Sequence, residues 1–400
     1  METTSLLVVN AGSSSLKFSV FAVPDLQNPQ LLVNGQIERI GTSPRLITHD
    51  AAGAVLIDRS YAATDIRGHD DAIQAVAGWL GTLGERAQLT AAGHRVAHGG
   101  PDLTVPVMVD DAVLARLEQL VKLMPLHLPA NLAAIRALRK HVPNLPQVAC
   151  FDTSFHRLHT GIVDRFALPG TFYEEGVRRY GFHGLSYEYI ARRLPEVAPE
   201  IAHGRVIVAH LGSGASMCAL RDGQSVDSTM AFSALDGLPM NTRSGALDPG
   251  VVIYLVRDKG MSVDDVESLL YRQSGLHGLS GFSGDMRDLL ASDEPNAKLA
   301  VDYFVFHGRR QIGALSAVLE GLDAIVFTAG IGEHSPEIRE RICDGLSWLG
   351  IALDRIANRD GGPRITKSDA RVSAWVIPTN EELVIAWHML ALGRRRSLER

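Results

Sequence analysis

The residues with chemistry to offer sit in short Gly-rich segments between apolar runs, and most are built to meet anions. Arg95 lies in GHRVAHGG, Gly93 to Gly100, between His94 and His98; His183 ends TFYEEGVRRYGFH, a loop that closes over something; Arg243 precedes Ser244 and Gly245 in GLPMNTRSGALD. Carboxylates stand at strand or helix starts, with Asp152 in FDTSFH after the apolar run Gln147 to Phe151, and Glu381 and Glu382 in TNEE. An aspartate directly after a buried strand can hold a metal or its water shell, and equally can cap a turn or helix. The two glutamates are accounted for by a helix dipole alone. No nucleophile and base are paired, since G-x-S-x-G, Walker A and H-E-x-x-H patterns are all missing. Cations and hydroxyls without a nucleophile suit phosphoryl transfer, where a protein mainly positions and neutralises charge.

The elements that position these residues begin with Ser5 to Phe21, SLLVVNAGSSSLKFSVF, which reads as a strand, a tight turn and a returning strand. Gly12 lets the backbone approach a ligand, and Ser13 to Ser15 with Lys17 form an anion-sized concavity. An ordinary hairpin turn collects the same residues. What favours a ligand is a repeat: LLVVNAGSSSLKFSV and VIVAHLGSGASMCAL align without a gap 200 positions apart, Gly12 on Gly212 and Ser13 on Ser213. Such a duplication implies two similar α/β domains with a cleft between them, each offering a Gly/Ser turn to a shared nucleoside triphosphate.

Between the hairpins, short strands are expected over Leu31 to Ile57, a helix over His69 to Leu83, and a strand over Leu89 to Val96 that delivers Arg95. Helices follow over Asp110 to Leu123 and Pro129 to Lys140, joined by MPLHLP, and Ser186 is read as the cap of a helix reaching Leu194. In the second half, helices start at Asp248, Ser262 and Pro295. A strand over Asp323 to Thr328 enters AGIGEHSPE, read as a Gly-rich loop, Ala329 to Glu333, with Ser335 capping the helix after it. Glu381 opens the last helix.

Four hundred residues make room for two domains, and 46% hydrophobic with 21% charged residues allow a large core. A net charge of −6 argues against nucleic acid as the main partner. The three cysteines, Cys150, Cys218 and Cys343, are isolated and signal neither disulfides nor zinc, and no apolar run is long enough for a membrane span or signal peptide; a cytoplasmic protein is expected. One alternative of a different class stays open, an ATP-binding module of duplicated design that transfers nothing. The extra arginines argue against it, because a purely nucleotide-binding cleft has less need of cations opposite the phosphates.

From VVNAGSSSLKF through HRVAHGG, PLH, FDTSFH, YGFHG, HLGSGAS, TRSG, AGIGE and TNEE, the chain resembles the acetate kinase (acetokinase) family along essentially its whole length. The resemblance implies duplicated actin-like ATPase (ribonuclease H-like) domains, residues 1–155 completed by about 383–400, and 156–382. It implies a homodimer that transfers the ATP γ-phosphoryl directly, with Mg²⁺, to acetate, giving acetyl phosphate and ADP. By matched position, Asn10 and Glu381 would hold the metal, and Asp152 would order its waters. Arg95 and Arg243 would bind the carboxylate and the transferring phosphoryl, and His183 would stabilise that group's equatorial oxygens. The nucleotide would lie against Gly12, Ser13, Ser15 and Lys17, against Gly212, Ser213 and Gly214, against Asp285 and Arg287, and against Gly330 and Gly332. His127 and His210 would support these loops, His210 from the nucleotide side.

The chain departs from the family pattern at Ser213, Asn241 and His334, where Asn, Gly and Asn are usual, and at Leu128 after P-L-H. Two departures bear on substrate. Ala97 and Ala234 replace the larger Val and Pro of a small acyl pocket that also includes Leu126 and Phe182. A vacated methylene is worth about 0.8 kcal/mol to a ligand that fills it, so propionate is expected to compete with acetate. A propionate or butyrate kinase is the near alternative.

Overall fold

The computed structural model describes residues 4–24, 28–84 and 88–398. It divides the chain into two compact units, residues 1–154 with 380–400, and 155–379.

The first unit is built on an eight-stranded sheet. Its strands are β1 (Ser5–Ala11), β2 (Leu16–Ala22), β3 (Gln30–Glu38), β4 (Arg45–Asp50), β5 (Val55–Ser60), β6 (Leu89–Val96), β7 (Val107–Met108) and β8 (Gln147–Phe151), in the order β5-β4-β3-β2-β1-β6-β8-β7. Strands β1 to β5 form an antiparallel meander, whereas β1, β6 and β8 run parallel. The parallel strands are nearly continuous apolar runs because both their faces are covered. Helices α1 (His69–Gly81), α2 (Asp111–Gln119) and α3 (Leu128–His141) belong to this unit, and Leu7, Val9 and Ala92 share one core with Ile73, Val76 and Leu138 of α1 and α3. Adjacent strand residues point to opposite faces. Gly93 therefore faces the other way, toward the last helix, Glu381–Leu398, where a Cβ would fall 2.4 Å from Ile385 and 2.6 Å from Met389. The single helix expected over Asp110 to Leu123 is an α-helix followed by a separate 3₁₀ turn, Val121–Leu123.

The second unit repeats the plan. Helices α4 (Gly170–Glu174) and α5 (Gly184–Val197) precede β9 (Arg205–Leu211), β10 (Ala215–Arg221) and β11 (Gln224–Ser228). Then come α6 (Pro249–Arg257), α7 (Val263–Arg272), α8 (Gly275–Ser280), α9 (Met286–Leu290), α10 (Pro295–Val318), β12 (Ala324–Thr328), α11 (Ala329–His334), α12 (Pro336–Asp344), α13 (Arg355–Asp360) and β13 (Ser373–Val376), and the last helix is α14. The sheet order β11-β10-β9-β12-β13 matches β3-β2-β1-β6-β8, with an antiparallel hairpin followed by parallel strands in each. Tyr187, Ile190 and Leu194 of α5 pack on Val206, Val208 and Cys218, while Met217, on the opposite face, meets α10 at Gly308.

The two hairpins differ in one respect that a gapless alignment hides. Ala11 pairs with Leu16, but Leu211 pairs with Ala215, so the second turn is one residue shorter. Beyond the turn the match shifts by one: Ser216, opposite His210, corresponds to Lys17, opposite Asn10, and not to Leu16. A slip of one residue exchanges the faces of a strand, and it is this shift that turns Ser216 toward His183. Two further readings are corrected. Ser186 does not cap α5; the cap is His183 in a left-handed conformation (φ 55), and Ser186 lies inside the helix with its hydroxyl against Thr379 and His210. Ala329 to Glu333 is not a loop but most of a helix, α11, and Ser335 caps α12 after it.

Candidate active site

In the first unit, Asn10, Arg95 and Asp152 occupy the carboxyl ends of the parallel strands β1, β6 and β8, where ligands of open α/β sheets bind. Arg95 donates to both carboxylate oxygens of Asp152, from Nε at 3.0 Å and from Nη2 at 2.5 Å, and from Nη1 to Asn10 Oδ1 at 3.2 Å. Glu381, at the start of α14, is 3.7 Å from Arg95 Nε. Burial pushes the Glu381 carboxyl up to about 7, with Asp152 and Glu382 adding to the effect and Arg95 and Lys17 opposing it. Asp152 is also pushed up by burial, against the pull of Arg95. Burial acts to lower the Arg95 guanidinium, but the charges of Asp152 and Glu381 outweigh it and hold the group protonated.

The cluster is thus an all-oxygen donor set short of positive charge, which suits a hard divalent cation. Among the described residues no three His, Cys, Asp or Glu side chains come together as ligands.

Around this cluster, Gly12 N–H donates to Ser15 O at 2.9 Å, and Gly12 O is 2.7 Å from His69 Nε2. Ser13 at the tip is exposed, as is Lys17 on β2. Ala97 is buried, its N–H donating to Asn131 Oδ1, and Leu126 is half-buried before α3. The two histidines that flank Arg95 in sequence, His94 and His98, have partners of their own. His94 is buried against Gln147, 2.7 Å away, and burial lowers it to about 4; His98 Nδ1 accepts from Gly100 N–H, which a neutral ring allows.

In the second unit, His183 stacks on His210 (ring centroids 4.1 Å apart, 18° between planes), and its Nδ1 is 2.8 Å from Ser216 Oγ, which also meets Tyr187 OH. His210 Nδ1 is in turn 2.8 Å from Ser186 Oγ. Arg243 Nη1 donates to Ala234 O at 3.1 Å. Gly214 lies close against both groups: a Cβ there would fall 3.3 Å from His183 Nε2, tight enough that the ring would have to give, and 3.9 Å from Arg243 Nη1. Phe182 and Ala234 are buried in this unit.

Beside them opens a cavity of about 700 Å³ lined by Gly212 and Ser213 of the β9–β10 turn, Asp285 and Arg287 at α9, and Gly330 of α11. Asp285 caps α9, accepting from Arg287 N–H and from Arg287 Nη2 at 2.6 Å; that hydrogen bond to Arg287 is the main cause holding its carboxyl below the usual range. Three of this unit's nucleotide candidates do not line the cavity: His210 and Gly214 lie at the His183 group, and Gly332 is on the buried side of α11. Sequence reasoning missed the lining by Gly284, Ile331 and Glu337. It noted Asn241 and His334 as departures without placing them, yet both line the cavity with Ser213. Asn241 N–H donates to Ser213 O at 3.2 Å, and its side chain lies where a Cβ at Gly284 would be, 2.1 Å away.

Helix α11 contains two glycines, and side chains clamp it at both ends. Glu333 Oε1 accepts from Ala329 N–H at 2.7 Å and from Thr379 N–H at 3.1 Å. Arg339, fully buried, donates to the carbonyls of Gly332 and Glu333, both at 2.8 Å, and to Asn358.

Two sheets of equivalent strand order, with the candidate residues at their carboxyl ends, define a duplicated α/β phosphotransferase-type architecture, the actin-like ATPase fold. The profile of the acetokinase family matches residues 5–387, and the chain belongs to that family. It is 56% identical over 393 residues to the acetate kinase of Nitrobacter hamburgensis, covering 98% of this chain and 97% of that one. It is 55% identical to the acetate kinase of Rhizobium meliloti, covering 97% and 98%. Among solved structures, a propionate kinase from Francisella tularensis superposes with a TM-score of 0.89 at 34% identity, covering 96% and 98%. The acetate kinase of Porphyromonas gingivalis gives 0.85 at 32%, covering 97% and 99%.

Proposed function

We propose that this chain transfers the γ-phosphoryl group of ATP to acetate, reversibly, giving acetyl phosphate and ADP. The observation that carries the reading is the Arg95–Asp152–Asn10–Glu381 cluster, a guanidinium held by buried oxygen donors at the carboxyl ends of three parallel strands. A carboxylate acceptor, with a pKa of about 4 to 5, is already ionised at neutral pH, so no general base is needed. The barrier is the meeting of two anions. Arg95 binds the acceptor carboxylate, and Arg243 with His183 stabilises the phosphoryl group as its charge spreads, each such donor contributing about 3 to 4 kcal/mol. His183 is aimed by Ser216 and by its stack on His210. Asn10 and Glu381 would hold Mg²⁺ with Asp152 ordering its waters, and the bound ion would neutralise phosphate charge. The cavity beside Gly212 takes the nucleotide, with Asp285 and Arg287 in its lining.

A second acceptor, propionate, is suggested by Ala97 and Ala234, each buried in its own unit and each smaller than the Val and Pro usual at these positions in the family. Trapping the acyl phosphate as a hydroxamate gives kcat/KM for acetate, propionate and butyrate. Propionate within about tenfold of acetate is expected. A strict acetate preference removes the second acceptor, and no hydroxamate with any of the three removes the proposal.

The enzyme is proposed to work as a homodimer. Helix α6 has no buried residue although it reads PGVVIYLVR, with Val251, Ile253, Tyr254 and Val256 all exposed. Exposed apolar surface of this kind marks a protein interface. Light scattering should return twice the 43.2 kDa chain mass, and Ile253→Glu should halve it. The buried thiols of Cys150, Cys218 and Cys343 support a reducing compartment, the cytoplasm. No helix among the described residues is long and apolar enough to cross a membrane.

A further inference from the structure

The backbone that carries His183 is unusual twice over, with Gly181 at φ 76 and His183 at φ 55. A left-handed residue with a side chain persists only where its surroundings hold it. Beneath this turn lies His156, fully buried, which the chemistry proposed above does not use. Its ring fills the space a Cβ at Gly181 would need, with Cδ2 2.5 Å away, and its Nε2 is 3.0 Å from Phe182 O.

That carbonyl fixes the protons of a whole chain of groups. A carbonyl only accepts, so Nε2 of His156 carries the ring proton. Burial lowers His156 to about 4, so the ring is neutral and Nδ1 is an acceptor. Ser225 Oγ, 2.8 Å from Nδ1, therefore donates its single proton there. Ser225 Oγ is also 2.8 Å from His159 Nε2 and must accept from it. His159 Nδ1 is left as a bare lone pair; it is buried without a hydrogen-bond partner and faces the equally unpartnered Asp164 Oδ1 at 3.7 Å. Arg157, 3.6 Å from Asp164, keeps that carboxylate from being an isolated charge.

We infer that His156 is a positioning residue: its Nε2–H holds the Phe182 carbonyl and thereby sets the backbone of His183, and the contacts of Ser225 accommodate the tautomer that this bond requires. The inference rests on the role proposed for His183 in phosphoryl transfer.

Two substitutions separate positioning from space filling. The amide nitrogen of His156→Gln reaches about as far as Nε2 and can donate to Phe182 O, whereas the amide of His156→Asn reaches only as far as Nδ1. With acyl phosphate trapped as hydroxamate, His156→Gln should keep kcat within about tenfold of the native enzyme, and His156→Asn should lose about a hundredfold or more, with KM for ATP unchanged in both. Equal activity in the two variants, or a loss confined to KM, overturns the inference. A second measurement needs no variant. Imidazole ¹⁵N shifts of the native enzyme should show His156 protonated at Nε2 and bare at Nδ1, and the reverse tautomer overturns the inference whether or not the variants fold. A native enzyme that forms no acyl phosphate refutes the role of His183 and with it the positioning claim, while the tautomer assignment is still read independently.

Discussion

Arg95, proposed to bind the acceptor carboxylate, would couple stability and chemistry in one side chain. It makes two hydrogen bonds to Asp152, which is 2% exposed, so removing it altogether leaves a buried carboxylate without its partner and confounds folding with catalysis. Arg95→Lys is the cleaner change: it keeps the charge but loses the planar fork. We predict kcat/KM for the carboxylate falls about 100-fold or more while the thermal midpoint moves little; near-native turnover would show that Arg95 only braces Asp152. The types of these residues were readable in the sequence, because cations beside glycines and an aspartate after an apolar run are local patterns. Their partners were not, since Asn10, Arg95, Asp152 and Glu381 meet only through the pairing of β1, β6 and β8 and the return of α14. His94 and His98, neighbours of Arg95 in sequence, have other partners, Gln147 and Gly100. Being next to Arg95 in sequence says nothing about which face of β6 a ring takes.

Among the elements, the hairpins and most helix limits were legible, because alternation and caps are short-range signals. Helix α11 was not. Its two glycines disfavour a helix by about 1 kcal/mol each, and what holds it is long-range, namely Glu333 reaching back to Ala329 N–H and Arg339 reaching in from α12. Arg339→Met would leave the carbonyls of Gly332 and Glu333 buried without these donors. We predict a loss of about 3 kcal/mol in denaturant unfolding together with a several-fold rise in KM for ATP; a stability loss with KM unchanged would separate α11 from nucleotide binding. Ser186 was misassigned because serine favours caps, yet His183 takes the cap position in a left-handed conformation. The shorter second turn was also invisible, since Gly/Ser-rich residues align equally well at either length and only strand pairing reveals the missing residue.

At the scale of the molecule, buried neutral histidines tie stability to pH. His94 in the first unit and His156 in the second are each lowered from 6.5 to about 4, mainly by burial. A folded-state value below the unfolded one means that the unfolded chain binds the extra proton first. The stabilisation is complete above pH 6.5 and is lost as pH falls through the window from 6.5 to 4. Each ring contributes at most about 3 kcal/mol to that loss. Thermal midpoints should therefore fall steadily across this window at constant ionic strength, and His94→Gln should flatten the fall; an unchanged slope would mean that His94 titrates normally in the folded protein. The duplication was legible at this scale from one repeat of fifteen residues, and the sheet orders extend it to five strands in each unit.

The central claim is that phosphoryl passes to a carboxylate and not to water. Following ATP with Mg²⁺ by ³¹P NMR, with and without acetate, tests it most directly. An acyl phosphate resonance should grow with ADP when acetate is present, and little ADP should form in its absence. Release of ADP and inorganic phosphate at the same rate whether or not acetate is added would contradict the account.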